Sequence, residues 1–289
     1  MIEKQMDIAK ELMVASYDMH VHTDPSHFPR AIDDFELLKE ADAYQMKGVL
    51  IKSHYEPTQT RALIAAKHAQ AKCNIYGALA LNWPAGGLNV YAAESALKLG
   101  AVMIWMPTRD SENSLSYGDM PGDFFSRPPI SIYDEMGKIK KEVFLIIETV
   151  KKYDAYLCTG HLNIKESFDL CQAAGAMGAK TILTHPDWIR TTIPFETQKQ
   201  FAQNGTLIEK VWENICSGYI TPAEMAYSIN LIGAENIFMV TDCSQAHQAH
   251  PALEMQKFIA SLLSVGIRSE QIAIMIRTVP EEKILGSSR

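Results

Sequence analysis

No stretch of this sequence stays apolar for the roughly 18–20 residues that cross a bilayer, so no membrane-spanning helix is expected. No cluster of lysine and arginine stands anywhere in it. Its 27 basic residues are outnumbered by 34 acidic ones, giving a net charge of −7. A nucleic-acid partner is therefore not expected, and the acid excess reads as a solvated surface. Cysteine is scarce and unpatterned: Cys73, Cys158, Cys171, Cys216 and Cys243 are odd in number, widely spaced and without a C-x-x-C. Free thiols and a cytoplasmic location follow as expectations. The first thirteen residues lack a basic stretch followed by an apolar run and read as a mixed-charge amphipathic helix. Low-complexity segments and short sequence repeats are missing as well.

What is present is ample core material, with 47% of residues hydrophobic. Eight short runs rich in β-branched and aromatic residues can be marked: Tyr17–His22, Gly48–His54, Asn74–Asn82, Ala101–Thr108, Ala155–His161, Lys180–His185, Thr206–Trp212 and Ile237–Asp242. Helical patterns follow them. Asp33-Asp34 puts acids at a helix start, and Thr221-Pro222 supplies an N-cap with proline at the first helical position. Strand then helix, eight times, predicts a parallel α/β fold, a (β/α)8 TIM barrel in one domain over residues 1–289. The rhythm is broken at 109–134, rich in Ser, Gly, Pro and Asp and containing Phe124-Phe125. It leaves the C-terminal end of the fourth strand, where barrels carry active sites, so a lid is expected.

The chemistry-bearing residues sit at strand ends. Asp18, His20 and His22 alternate with Tyr17, Met19 and Val21, which puts them on one face of a strand. A lone H-x-H arises often by chance, and a single strand-end histidine is more often a hydrogen-bonded residue of the partial core. Here His54, His161, His185 and Asp242 end the second, fifth, sixth and eighth runs, and a barrel brings all these ends to one mouth. Imidazole with carboxylate suits zinc, manganese or iron rather than calcium or magnesium, as one ion or two. Asp242 can hold a water and act as general base.

Lesser candidates surround this set. Glu209 on the seventh strand is a second acid or a structural ion pair. His247 and His250 follow the eighth strand, and Arg109, Arg127 and Arg190 stand in loops suited to binding a carboxylate or phosphate. Gly86-Gly87 is a backbone ligand contact or a plain turn. Lys52 and His54 occupy alternate positions on the second strand.

H-x-H on the first strand, single histidines on the fifth and sixth and an aspartate on the eighth resemble the amidohydrolase superfamily of metal-dependent hydrolases. The likeness runs from Asp18 to Val279-Pro280-Glu281-Glu282-Lys283-Ile284-Leu285-Gly286, similar to that family's closing helix. The runs around His54, Gly86-Gly87, Thr159-Gly160-His161 and Thr184-His185-Pro186 resemble a subgroup known only as predicted metal-dependent hydrolases. The resemblance implies His20, His22, His161 and His185 as ligands, and Asp242 as ligand and proton acceptor. Binuclear members place a carboxylated lysine or a glutamate on the fourth strand, and Ile104-Trp105-Met106-Pro107-Thr108 offers neither. Lys52, carboxylated or as a free ammonium holding an anionic group, and His54 as a ligand are the substitutes. A second-strand histidine also occurs in polymerase-and-histidinol-phosphatase-like phosphoesterases. The expected activity is hydrolysis of an amide, cyclic amide or amidine in a small polar molecule. A phosphoesterase, a decarboxylase and a catalytically inactive binding barrel are the alternatives. A homo-oligomer is the expected assembly.

Overall fold

The computed structural model describes residues 2–118, 120 and 126–286. An N-terminal helix, Ile2–Met13, precedes eight strand positions that all pair in parallel with their sequence neighbours. The first strand is Tyr17–Val21 and the second Gly48–Ile51. The third runs in two pieces, Asn74–Tyr76 and Ala78–Ala80. Met103–Trp105, Tyr156–Cys158, Lys180–Leu183, Leu207–Val211 and Ile237–Val240 follow as the fourth to eighth. The break in the third strand falls at Gly77. A Cβ there would lie 2.2 Å from the Gln59 Cα, so only glycine lets the preceding helix, Gln59–His68, come this close.

The first piece of the third strand pairs with the second strand, and the other piece pairs with the fourth. The eighth strand returns to the first without a regular ladder. Asp242 N donates to His20 O at 2.9 Å, and His22 N to Cys243 O at 3.1 Å. Asp18 adds a side-chain clasp, accepting from the Thr241 hydroxyl at 2.6 Å and the Thr241 amide at 3.1 Å. Burial raises the Asp18 carboxyl to about 7 against the pull of those same bonds.

Parallel strands covered on both faces read as nearly continuous apolar runs, as these do. Met19, Leu50, Met103, Cys158, Ile182, Phe238 and Val240 pack inside the sheet. Val279, Ile284 and Leu285 join that interior from a wide π-helical segment, Ile274–Leu285, which includes most of the stretch expected as the closing helix. Two further clusters lie between strands and helices. The helix starts follow the expected chemistry. Asp33 with Glu36, and Thr221 with Glu224 after Pro222, form reciprocal capping boxes.

Two expectations need revision. The ladders end before the marked runs do: His22, His54, His161, His185 and Asp242 all lie just past the last paired residue. The chain has begun to turn there, with positive φ at Gly160 (62°), His185 (28°) and Asp242 (53°). The segment 109–134 is also not a structureless loop. It holds a short helix, Glu112–Ser116, a bridge from Ser111 to Ile130, and the buried Ile130 and Ile132. Phe124-Phe125 lie outside the described residues. Among the described residues, no helix is long and apolar enough to cross a membrane.

Gly160 aims the residue that follows it. A Cβ at this left-handed position would meet the Met106 carbonyl oxygen at 2.3 Å. Gly160→Ala is therefore expected to destabilise the fold by about 2 kcal/mol or more, through backbone strain and overpacking. Chemical denaturation of the two proteins measures this, and a midpoint unchanged by the substitution would contradict it.

Candidate metal centre

Five histidines stand in a ring at the strand ends. Consecutive ring centroids are separated by 5.4 Å (His20–His22), 5.0 Å (His22–His54), 5.8 Å (His54–His161), 5.0 Å (His161–His185) and 6.2 Å (His185–His20). The sequence places all five at the mouth, and the structure brings all five together. Asp242 joins them on the first-strand side. Its Oδ1 lies 3.1 Å from His20 Nε2 and 3.0 Å from His22 Nε2. Ligand atoms of His20, His22 and Asp242 lie within 4.8 Å of one another, the one such group among the described residues.

Outer partners fix the imidazoles. His20 Nδ1 faces the Glu209 carboxylate at 2.9 Å, so it carries the proton and leaves the Nε2 lone pair directed inward. The Thr191 hydroxyl donates to the His185 carbonyl at 2.8 Å, so it accepts at 3.1 Å from His185 Nδ1. Nε2 is again the free nitrogen. His54 Nδ1 pairs with Thr108 Oγ1 at 2.8 Å, and the Ser114 hydroxyl stands 3.4 Å from His161 Nδ1.

Electrostatics suit a cation. Burial opposes charge on His20, but Asp242 and Glu209 on either side outweigh it and raise its pKa. Burial depresses the other four. His185 falls to about 4, and His22, His54 and His161 lie well below the usual imidazole range, with neighbouring cations adding to the effect. They are neutral imidazoles at pH 7, the form that ligates metals. Burial would raise Asp242, yet His20 and His22 hold it ionised, well below the carboxylate norm. Neutral imidazole nitrogens with one carboxylate oxygen fit a divalent transition metal, and the gathering of His20 Nε2, His22 Nε2 and the Asp242 carboxylate is the observation behind that fit.

Lys52 complicates the site. Its ammonium is buried and donates to His20 Nε2 at 2.9 Å, while standing 5.1 Å over the Trp105 ring. Burial lowers its pKa against the attraction of Asp242 and Glu209. Trp105 supplies the fourth strand's contribution, its ring 5.5 Å from that of His20. An indole thus packs where the sequence already lacks a bridging residue.

Other candidates divide. Glu209 is not a cavity-lining substrate contact. It is fully buried, binding His20 with one oxygen and accepting from the His185 amide at 2.9 Å with the other. Arg127 turns to the Asp110 carboxylate, and Arg190 donates to the Ser114 and Gly118 carbonyls, so neither lines the cavity above the ring. Arg109 and His247 do line it. His250 lies away from it, 3.3 Å from Glu40. The Gly86-Gly87 amides donate to Trp83 and Asn82 carbonyls, which makes that stretch a turn.

Sequence reading missed several residues. Asn82 ties three strand ends together, donating to His54 O and Thr108 Oγ1 and accepting the Thr108 and Asp110 amides. The buried Lys210 donates to Asp187 and Gln198 at 2.8 Å and so braces the loop between His185 and Trp188. Arg30, Glu213 and Trp188 line the cavity, which has a volume of about 430 Å³. An Asn at the end of the third marked run was the one available signal; the others had none.

Comparison with solved structures finds the same fold. An amidohydrolase from Pseudomonas aeruginosa is 11% identical with a TM-score of 0.63, over 95% of this chain and 96% of that one. The probable dipeptidase PvdM from the same organism is 11% identical with a TM-score of 0.65, over the same shares. A 2,6-dihydroxybenzoate decarboxylase from Rhizobium is 13% identical with a TM-score of 0.54, over 92% of this chain and 97% of that one. The α/β TIM-barrel fold expected from the alternation of strand and helix is the fold this chain shares with such structures. No curated protein matches it. A model described as a family of unknown function, DUF6282, matches residues 15–209, a span that holds all five ring histidines but not Asp242.

Replacing both His20 and His22 with alanine is expected to abolish bound transition metal, read by elemental analysis of purified protein. Full stoichiometry in that variant would refute the assignment. Glu209→Gln keeps the shape but weakens the hold on His20, and metal affinity should fall about 10–100-fold.

Proposed function

The chain belongs to DUF6282, a family of unknown function, and from its site we propose that it is a metal-dependent hydrolase of a small polar substrate. The observation that carries the reading is the inward-facing set of His20, His22 and Asp242, backed by Glu209 and ringed by three more neutral imidazoles. His20, His22 and Asp242 would hold the ion, with His185, His161 and His54 close enough to complete or extend the site. Zinc is favoured over manganese or iron by the imidazole-rich donors. Bound there, such an ion supplies Lewis acidity toward a water and toward the scissile group.

Asp242 is the proton acceptor in this scheme. Its side chain is one-fifth exposed, so it reaches the cavity, while its ionised state leaves it able to accept a proton. The neutral ring imidazoles and the walls of Trp188 and Phe28 restrict water around the reacting group. An amide, cyclic amide or amidine is the favoured bond. The fold is also that of the 2,6-dihydroxybenzoate decarboxylase, and Arg109 and His54 at the cavity suit a phosphoester as the second reading; the products separate these readings. Amine with acid supports the proposal, while carbon dioxide or inorganic phosphate would replace it.

Lys52 has a defined place here. His20 Nε2 has one lone pair, now receiving the Lys52 ammonium. Were His20 to hold an ion through that lone pair, the Lys52 ammonium would be left to face the cavity it already lines, where it could hold an anionic or carbonyl oxygen of the substrate.

Asp242→Asn should retain much of the metal and lose turnover by about 100-fold or more, since an amide cannot accept the proton. A near wild-type rate in that variant rules out the role. For Lys52, the amine is expected to be bare in the metal-loaded protein. A carboxylated amine bridging two ions in electron density, or a bicarbonate-dependent carbamate signal in 13C NMR, would overturn that assignment.

A further inference from the structure

One cation at the cavity has no partner for its buried guanidinium nitrogens. Arg30 is 8% exposed, lines the cavity beside His22, Arg109 and Asp242, and leaves Nε and Nη1 without a hydrogen bond. A buried guanidinium is costly to leave unpaired, because burial removes its hydration without replacing it. Asp242 attracts it electrostatically, but Oδ1 of that carboxylate faces His20 and His22, and neither Nε nor Nη1 donates a hydrogen bond to it. Glu213, the other cavity carboxylate, is engaged by Ser217 and Gln248.

The position of Arg30 is set by the backbone on both sides. Its amide donates to both Asp24 carboxylate oxygens at 3.3 Å, it bridges to Gln245, and the Ala31 amide donates to Ser244 O at 3.0 Å. The loop after the first strand is thereby pinned to the loop after the eighth. The guanidinium carbon lies 5.6 Å from the Phe28 ring centroid, a cation–π contact that uses none of its N–H groups. Arg30, Lys52 and Arg109 set three cations against the two carboxylates of Asp242 and Glu213 among the residues lining the cavity, a surplus of one positive charge before any metal is counted.

We propose that Arg30 is a substrate-anchoring residue, its guanidinium, unbonded at Nε and Nη1, binding an oxyanion group, carboxylate or phosphate, of the substrate. Arg109 faces the same cavity and adds to the field, and the planar fork of an arginine matches either anion with two parallel bonds. The substrate class is then a small anion whose charged group sits on the Arg30 side while the bond to be cleaved lies over the histidine ring. This extends the hydrolase reading, but the anion site consists of protein groups alone and can be tested without the metal.

The test is binding to the metal-free protein by calorimetry at low salt, with glutarate, inorganic phosphate and the neutral glutaramide as probes. The wild type is expected to bind at least one anion and to discriminate against glutaramide. Arg30→Gln and Arg30→Met should each weaken anion binding about tenfold or more, the loss of a charge-assisted pair. Both variants should match or exceed the wild-type unfolding midpoint, because the side chain makes no hydrogen bond that folding relies on. Arg127→Gln, outside the cavity, should bind as the wild type does. Preference for glutarate assigns a carboxylate substrate, and preference for phosphate a phosphoester. No binding of either anion, or equal binding by wild type and both Arg30 variants, overturns the proposal. Elemental analysis of the same variants reports separately on the metal site, which can fail or hold independently.

Discussion

Glu209 makes the hydrogen bonds on which the centre depends. One carboxylate oxygen fixes the His20 tautomer and the other takes the His185 backbone amide, so one buried side chain on the seventh strand sets the first and sixth strand ends relative to each other. Its pKa is lowered because His20, and then His185 and Lys52, outweigh the cost of burial. An ionised acid in a fully buried position is stable only with such partners. Its loss would leave His20 free to rotate and Lys52 with one less counter-charge. The second constraint is the clasp of Asp18 on Thr241, which holds the first and eighth strand ends, and thus His20 and Asp242, in register where no ladder does.

Around that pair the site is built from neutral nitrogen. Four of the five imidazoles are kept uncharged chiefly by burial, and their Nδ1 atoms, where paired, are paired outward with hydroxyls supplied by Thr108, Ser114 and Thr191. These hydroxyls come from two different connections, so the loops after the fourth and sixth strands are part of the site's frame. The segment from Arg109 onward acts partly as a brace: Ser111 and Asn113 both donate to the His161 carbonyl at 3.0 Å. Trp105, packed against His20 and Lys52, fills the fourth-strand position with an indole, and the lysine of the site stands at the end of the second strand.

The strand-end histidines and Asp242 were legible because a parallel barrel has one mouth, and any residue ending a strand points to it. Glu209 was legible as an acid on the seventh strand but not as a buried support. The alternation that places a side chain inward does not say how deep it lies, and its depth depends on the His20 ring packed above it. Arg127 and Arg190 were indistinguishable from Arg109 in the sequence, since loop arginines carry no periodicity. Asp110 captured one, and the Ser114 and Gly118 carbonyls the other. Arg30, eight residues past His22, carried no signal, because its place comes from a bridge to Gln245, 215 positions along the chain.

By itself the sequence determined the eight-fold alternation of strand and helix, the capped helix starts, the short apolar strands, and the set of histidines with Asp242 at the strand ends. These are local properties, written in periodicity and in residues that stop or start an element. Tertiary structure alone decided which imidazoles are held from behind at Nδ1, which acid stands behind the ring, and which arginine is left with unbonded nitrogens. Those depend on partners distant in the chain, and a hydrogen bond formed across the barrel leaves no mark in the spacing of either residue.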